Sequence, residues 1–290
     1  MSQQSPTTAV AVAAIQMTSG PDVAANLAAA GALLERAARE GARVAVLPEN
    51  FSFMGRADAD KRAIGERDGD GPVQQFLAER ARALGLWIVG GTTPISQQPG
   101  ERVAAACLVY DDRGERVARY DKIHLFDVAI PGRAEKYRES ANTAPGARQV
   151  LVPTPAGLLG LSVCYDVRFP ELYRPMAAAG AQWFTVPSAF TLPTGRAHWE
   201  TLLRARAIEN LCYVVAPAQT GTHTSGRETY GDSLIVDYWG QVLSRLAKGT
   251  GVITAEFDLA QEAETRARFP ALDNRRLGLS RAAAAAAVPA

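Results

Sequence analysis

Cysteine, histidine and lysine are scarce in this chain. Its 290 residues include three Cys and three His, and of 31 basic residues only Lys61, Lys122, Lys136 and Lys248 are Lys. Cys107, Cys164 and Cys212 are odd in number and widely spaced, which argues against a disulfide framework and for a reducing, cytoplasmic compartment. No Cys pair has C-x-x-C spacing, and His124, His198 and His223 are too dispersed for a local zinc motif, so neither metal nor cofactor is expected. None of the four Lys stands in a P-loop, no G-x-G-x-x-G follows a strand, and there is no G-x-S-x-G elbow. Residues 1–8 are polar and show no secretory leader, and no apolar run approaches the ~18–20 residues of a membrane span. With 31 basic against 30 acidic residues, the net charge of +1 gives no reason to expect nucleic acid, while a small acidic partner stays open.

What is present is a globular composition, 47% apolar, with strands and helices in alternation. Strands are expected over 9–17, 44–47, 86–91, 103–110, 116–120, 149–153, 158–163, 183–186, 212–216, 233–237 and 251–257. Helices are expected over 22–40, 72–84, 169–180 and 196–210. Asp111-Asp112-Arg113-Gly114 reads as a hairpin turn. Residues 121–147 are polar and aperiodic, and so long a loop in a compact domain suggests function. With no linker and no repeat, a single domain over 8–270 is expected, between a disordered 1–7 and a partly disordered 271–290 whose Ala282–Ala287 run is low-complexity. Alternation mixed with hairpins predicts an α/β fold with a mixed sheet covered by helices, not a barrel.

Three strand ends carry chemistry. Cys164 closes an apolar strand just before a helix, whose dipole would favour its thiolate; the plain alternative is a small buried hydrophobe. That plain reading is preferred for Cys107 and Cys212, which lie inside strands. Glu49 leaves another strand after Leu47-Pro48, as a general base or as a surface glutamate. Lys122 follows a third strand and is a compact point charge in an Arg-rich chain, whereas Lys61, Lys136 and Lys248 read as solvated. A carboxylate, an ammonium and a thiol together suit acyl transfer.

Leu47-Pro48-Glu49, Lys122-Ile123-His124-Leu125-Phe126 and Cys164-Tyr165-Asp166-Val167-Arg168-Phe169-Pro170-Glu171 resemble the three catalytic segments of the nitrilase superfamily of carbon–nitrogen hydrolases. The resemblance spans about residues 8–270. It implies a four-layer α-β-β-α sandwich with mixed sheets, a homodimer or higher homo-oligomer, and a small-molecule amide substrate, with no nucleic acid or membrane partner. It also implies Glu49 as base, Lys122 as oxyanion-stabilising cation, Cys164 as a thioester-forming nucleophile and the Tyr165 N–H as a second oxyanion donor. Glu139, in Tyr137-Arg138-Glu139-Ser140, matches the family's second glutamate, which positions Lys122 or substrate. The segments 187–190, 193–200 and 204–210 resemble the branch of deaminated-glutathione amidases and ω-amidases, and Cys212–Ala216 with Ala218-Gln219 favours the former. A nitrilase or carbamoyl hydrolase uses the same groups.

Arg168 reads equally as a substrate-carboxylate clamp or a structural ion pair. Thr194 is a candidate pocket residue. His198-Trp199 reads as structural and His124 as support for the site. Two other classes compete: a papain-like hydrolase pairing Cys164 with His198 or His124, and a non-enzymatic scaffold on the same fold.

Overall fold

The computed structural model describes residues 9–277 apart from 99, 133 and 134, so the terminal segments expected to be disordered, 1–7 and the Ala282–Ala287 run, lie outside the described residues. In chain order the elements are β1 (Val10–Gln16), α1 (Val23–Arg39), β2 (Val44–Val46), α2 (Pro72–Leu84), β3 (Trp87–Val89), β4 (Thr93–Ile95), β5 (Val103–Tyr110), β6 (Arg116–Asp121), β7 (Asp127–Ala129), β8 (Lys136–Arg138), β9 (Thr143–Ala144), β10 (Leu151–Thr154), β11 (Gly157–Leu161), α3 (Pro170–Ala178), β12 (Trp183–Thr185), α4 (Leu192–Asn210), β13 (Tyr213–Ala216), β14 (Thr220–Thr222), β15 (Glu228–Tyr230), β16 (Ser233–Val236), β17 (Val242–Leu246), β18 (Gly251–Phe257) and α5 (Leu259–Arg268).

Two large mixed sheets result. The first runs β18-β1-β2-β3-β5-β4, with β6 and β9 also on β5; β1, β2 and β3 are parallel, and the pairs of β18 with β1 and β3 with β5 are antiparallel. The second runs β10-β11-β12-β13-β16-β17, parallel from β11 to β13 and antiparallel outside them.

The period-2 alternation of strand side chains explains the layering. In β1, Val12 and Ala14 point into one core while Ala13 and Ile15 point into another. The same division holds for Val44 and Val46 against Ala45, and for Cys107 and Val109 against Ala106 and Leu108. The first core lies between the sheets and continues under α3 and α4 through Leu172, Met176, Trp199 and Leu203. The second joins the first sheet to Ala30, Leu34 and Ala37 of α1 and to Val73, Leu77 and Ala81 of α2. Each such fully buried aliphatic side chain stabilises by roughly 1.5–3 kcal/mol. The layer order is thus helix, sheet, sheet, helix, the sandwich that the sequence resemblance implies. All three cysteines are free and buried, and among the described residues no helix is long and apolar enough to cross a membrane.

Local chemistry accounts for most boundaries. Asp22 caps α1 through the Ala25 N–H at 3.1 Å. Asp111 Oδ1 accepts from the N–H groups of Arg113 and Glu115, closing the β5–β6 hairpin at the expected turn. Several elements depart from the sequence expectation, among them the short strands β4, β14, β15 and β17, which it did not include. The stretch 121–147 is not unbroken loop: β7 and β8 form a hairpin in it and β9 joins the first sheet. Helix α4 starts at Leu192, not 196, because Pro193 occupies its first turn and Gly195 is a packing glycine whose added Cβ would lie 2.2 Å from the Tyr230 ring. Helix α5 lacks an apolar stripe and is held by Arg266, which donates to the carbonyls of Leu211 and Ala181.

Gly91 fixes the turn that carries Glu49. Its φ is +51°, and a Cβ there would lie 2.0 Å from the Pro48 carbonyl oxygen. Gly85 has φ +59° with nothing within 4 Å of an added Cβ. Gly85→Ala is therefore expected to cost only the ~1–2 kcal/mol of a left-handed side-chain residue, and Gly91→Ala clearly more. Urea unfolding of the two variants checks this; equal losses would remove the clash argument.

Candidate active site

Parallel strands of both sheets end on one side of the sandwich, where open α/β sheets place their sites. Glu49 lies three residues past β2, Lys122 directly follows β6, and Cys164 lies three residues past β11. The chain enters the short 3-10 turn Cys164–Arg168 with Cys164 at φ +51°, a left-handed conformation uncommon for a residue with a side chain. This turns the thiol out of the sheet and into a cleft of 520 Å³ lined by Glu49, Lys122, Glu139, Tyr165 and Thr194 among others. The cleft falls in the ~300–1,000 Å³ range of small-molecule sites.

Lys122 is the centre of the arrangement. It is 1% exposed, and its Nζ lies 2.8 Å from Glu49 Oε1 and 2.9 Å from Glu139 Oε2. An ammonium has three donors, and Glu139 Oε1 at 3.1 Å is a third acceptor, so the two carboxylates together match all three. Burial works against its charge, but Glu139 and Glu49 outweigh burial and raise its pKa well above the lysine range. For Glu49, burial pushes upward, yet Lys122 and hydrogen bonds from Lys122 and Cys164 bring the carboxyl below the usual range. The other Glu49 oxygen accepts the Ala189 N–H at 2.8 Å, and Glu139 Oε2 accepts the Phe126 N–H at 2.7 Å. The 121–147 stretch thus holds one side of the Lys122 ammonium.

The thiol differs from the sequence expectation. Burial first, and then the charge of Glu49, raise the Cys164 pKa far above the ordinary thiol value, and Lys122 only partly opposes them. The helix dipole does not prevail, so the resting group is a neutral S–H hydrogen-bonded to Glu49. The Tyr165 N–H lies in the first turn of its helix, where no intrahelical acceptor exists. A carbonyl oxygen placed between that N–H and the Lys122 ammonium would receive the backbone hydrogen bond and the field of the cation as negative charge develops.

Asp166 locks the parts together. Fully buried, it accepts from Tyr120 Oη at 2.7 Å, the His124 N–H at 3.0 Å and the Val163 N–H at 2.9 Å. His124 Nδ1 lies 2.7 Å from it, and the imidazole stacks on Phe169 at 3.7 Å. One carboxylate therefore ties the segment after Lys122 to the turn of Cys164. The motif contained Asp166, but nothing in the sequence signalled that role.

The remaining candidates separate. Thr194 lines the cleft and shares a 2.8 Å hydrogen bond with Thr191. Arg168 does not line it: its guanidinium lies over the rings of Tyr165 and Phe190, with Nη1 3.3 Å from His198 Nδ1. Among the described residues it has no acid partner, and it stands outside the cleft where a clamp on a substrate carboxylate would be needed. Among the described residues no His lines the cleft, which removes the geometry of a Cys–His pair. Lys61 and Lys136, expected to be merely solvated, stand at its mouth, with Lys61 paired to Asp58 at 2.6 Å. Sequence reasoning missed Ala189, which acts through its backbone, and Arg227, one arginine among many. No group of three or more His, Cys, Asp or Glu among the described residues is placed to hold a metal ion.

Lys122→Met would leave Glu49 and Glu139 facing each other in a buried space. The expected loss is ~3–5 kcal/mol near neutral pH. Their mutual repulsion would raise both carboxyl pKa values, so the penalty exists while they are ionised and shrinks as pH falls through those values. Urea unfolding at about pH 8 and about pH 5 tests the sign; a pH-independent loss would contradict the paired-carboxylate account.

Comparison with known proteins agrees with this geometry. Residues 11–267 match the carbon–nitrogen hydrolase family. The chain is 44% identical over 269 residues to the deaminated glutathione amidase of Homo sapiens, covering 91% of this chain and 82% of that one. It is 40% identical over 266 residues to the deaminated glutathione amidase of Yersinia enterocolitica, covering 91% and 92%. The crystal structure of the Caenorhabditis elegans NitFhit protein superposes with a TM-score of 0.86 at 40% identity, covering 92% of this chain, which spans 65% of that longer one. With the family matched over nearly the whole described length and with relatives above 40% identity, the chain belongs to the carbon–nitrogen hydrolase family.

Proposed function

We propose that this protein is an amidase that cleaves the C–N bond of a small carboxylate-bearing amide through a thioester on Cys164, and that its substrate is deaminated glutathione. The observation that carries the chemistry is the buried Glu49–Lys122–Glu139 cluster beside the Cys164 thiol at the base of the cleft. The relatives named deaminated glutathione amidase support the substrate.

In this reading the Cys164 sulfur attacks the amide carbonyl as its proton passes to Glu49. The transfer is uphill at rest, since the thiol is raised and the carboxyl lowered, so it runs together with C–S bond formation. The carbonyl oxygen gains charge against Lys122 and the Tyr165 N–H. As the intermediate collapses, the C–N bond breaks and Glu49 returns its proton to the leaving amine. Water then attacks the thioester, giving a proton to Glu49 and expelling the Cys164 thiolate, which recovers that proton. The products are a carboxylic acid and an amine, with no net change at the enzyme. Glu139 keeps Lys122 charged and aimed.

The same proposal includes a cytoplasmic protein, consistent with three free cysteines, and a homodimer or larger homo-oligomer. Exposed Ile208, Trp239 and Phe269 offer apolar surface for such contacts.

Cys164→Ala should reduce amide hydrolysis by ~10³-fold or more while the protein stays folded. A substrate pulse should leave an acyl adduct on the Cys164 peptide in mass spectra; an adduct on Cys107 or Cys212 would refute the assignment. The substrate is tested by amine or ammonia release from deaminated glutathione against α-ketoglutaramate and simple amides; preference for any other amide would overturn that part.

The pH dependence follows from the same groups. Glu49 is held below the carboxylate range and Lys122 well above the lysine range. kcat/KM should therefore stay flat from about pH 5.5 to about pH 9 and fall only in acid, as Glu49 takes up a proton. A limb near ~6.5 that disappears on replacing His124 or His198 would instead point to imidazole chemistry.

A further inference from the structure

The catalytic cluster leaves one cation of the cleft unexplained. Arg227 lies on the turn between β14 and β15, whose hairpin pairs Thr220 with Tyr230 and Thr222 with Glu228. The turn is fixed from beneath. His223 places Nδ1 2.9 Å from the Ser19 carbonyl and Nε2 2.7 Å from Thr229 Oγ1, its N–H donates to the Arg227 carbonyl, and its carbonyl accepts the Gly226 N–H. The Arg227 guanidinium lies over the Tyr137 ring, 5.3 Å from its centroid, and Nη2 donates to the Ala189 carbonyl at 2.5 Å. Nε is shut away from solvent with no acceptor. Arg227 pairs with no carboxylate of a described residue.

Its Nε has therefore lost solvent without gaining an acceptor, and the partly buried head group lines the cleft with no carboxylate of a described residue paired to it. A stacked, preoriented guanidinium with unused N–H donors matches a carboxylate better than any neutral group. Its position is also specific. The Ala189 carbonyl holds Arg227 and the Ala189 N–H holds Glu49, so the cation stands one peptide unit from the catalytic base. Its field reaches that base, since Arg227 is among the causes lowering the Glu49 pKa. Because the turn is rigid, little ordering entropy is spent when an anion binds.

We propose that Arg227 is the specificity-determining residue of the site and binds a carboxylate at the far end of the substrate's acyl chain. The inference rests on the amidase reading above and adds the group that selects the acid. It predicts discrimination between amides that differ only in that terminal charge.

The probes are glutaramate and pentanamide, which share a five-carbon chain and differ in a terminal carboxylate against a methyl group. The wild-type protein should prefer glutaramate. Arg227→Met should raise KM for glutaramate about 30-fold and lower kcat/KM for pentanamide by no more than about 3-fold, the share that passes to Glu49 through Ala189. Arg227→Lys, which keeps the charge but loses the fork, should recover part of the glutaramate preference. Equal losses on both amides would show that Arg227 serves only to hold Ala189 and would overturn the inference, as would no change on either. A wild-type protein that hydrolyses both amides equally well sinks the inference and leaves the amidase reading standing; one that hydrolyses neither sinks the inference, and sinks the amidase reading too if deaminated glutathione is also left intact.

Discussion

A lysine ammonium buried between two carboxylates is the constraint around which this protein is arranged. A lone buried cation would be strongly disfavoured, and so would two neighbouring buried carboxylates. Together at 2.8 and 2.9 Å they are tolerated, but only if three separate segments arrive at one point. The strand exit bearing Glu49, the strand exit bearing Lys122 and the hairpin region bearing Glu139 have no other reason to converge there. The same charge balance keeps Glu49 ionised and Lys122 protonated, the states that proton transfer and oxyanion stabilisation need.

The sandwich supplies that convergence with rigid parts. Alternating side chains commit β1, β2, β3, β5 and β18 of the first sheet to both cores, so none of these can shift by one residue without turning its apolar set to the wrong side. Strand ends are thereby held in register, and short turns carry the chemistry. Asp166 adds a link across the sheets, with the Lys122 segment on one side and the Cys164 turn on the other. Ala189 does the same by main chain alone, one face of its peptide to the base and the other to Arg227.

Much of this was legible in the sequence, for physical reasons. Glu49 and Cys164 each follow an apolar run that ends abruptly, Lys122 follows the second strand of a clear hairpin, and chemically distinct residues at strand exits stand out when Lys and Cys are rare. Glu139 could be placed by motif, although its pairing with Lys122 needed coordinates. The major strands and α1 and α2 followed from periodicity and caps. What escaped had no local signal. The hairpin of β7 and β8 has three-residue strands, too short for a pattern. Helix α5 buries only Glu262 and is anchored by arginine-to-carbonyl bonds, so no apolar stripe marks it. A donating backbone N–H such as that of Ala189 is not written in any side chain. The state of the Cys164 thiol depended on desolvation and on the carboxylate opposite it, and the adjacent helix suggested the reverse.

That resting thiol has a consequence for how long the protein survives chemically. Peroxides and disulfides react with thiolates, and a thiol whose pKa is raised by burial and by Glu49 presents less thiolate to them than an ordinary cysteine does. The sulfur becomes nucleophilic only while a carbonyl stands over it to receive the electrons. Reactivity is thus conferred by the substrate instead of being displayed to the surrounding solution, and the reagent most able to modify Cys164 is the one the cleft was shaped to admit.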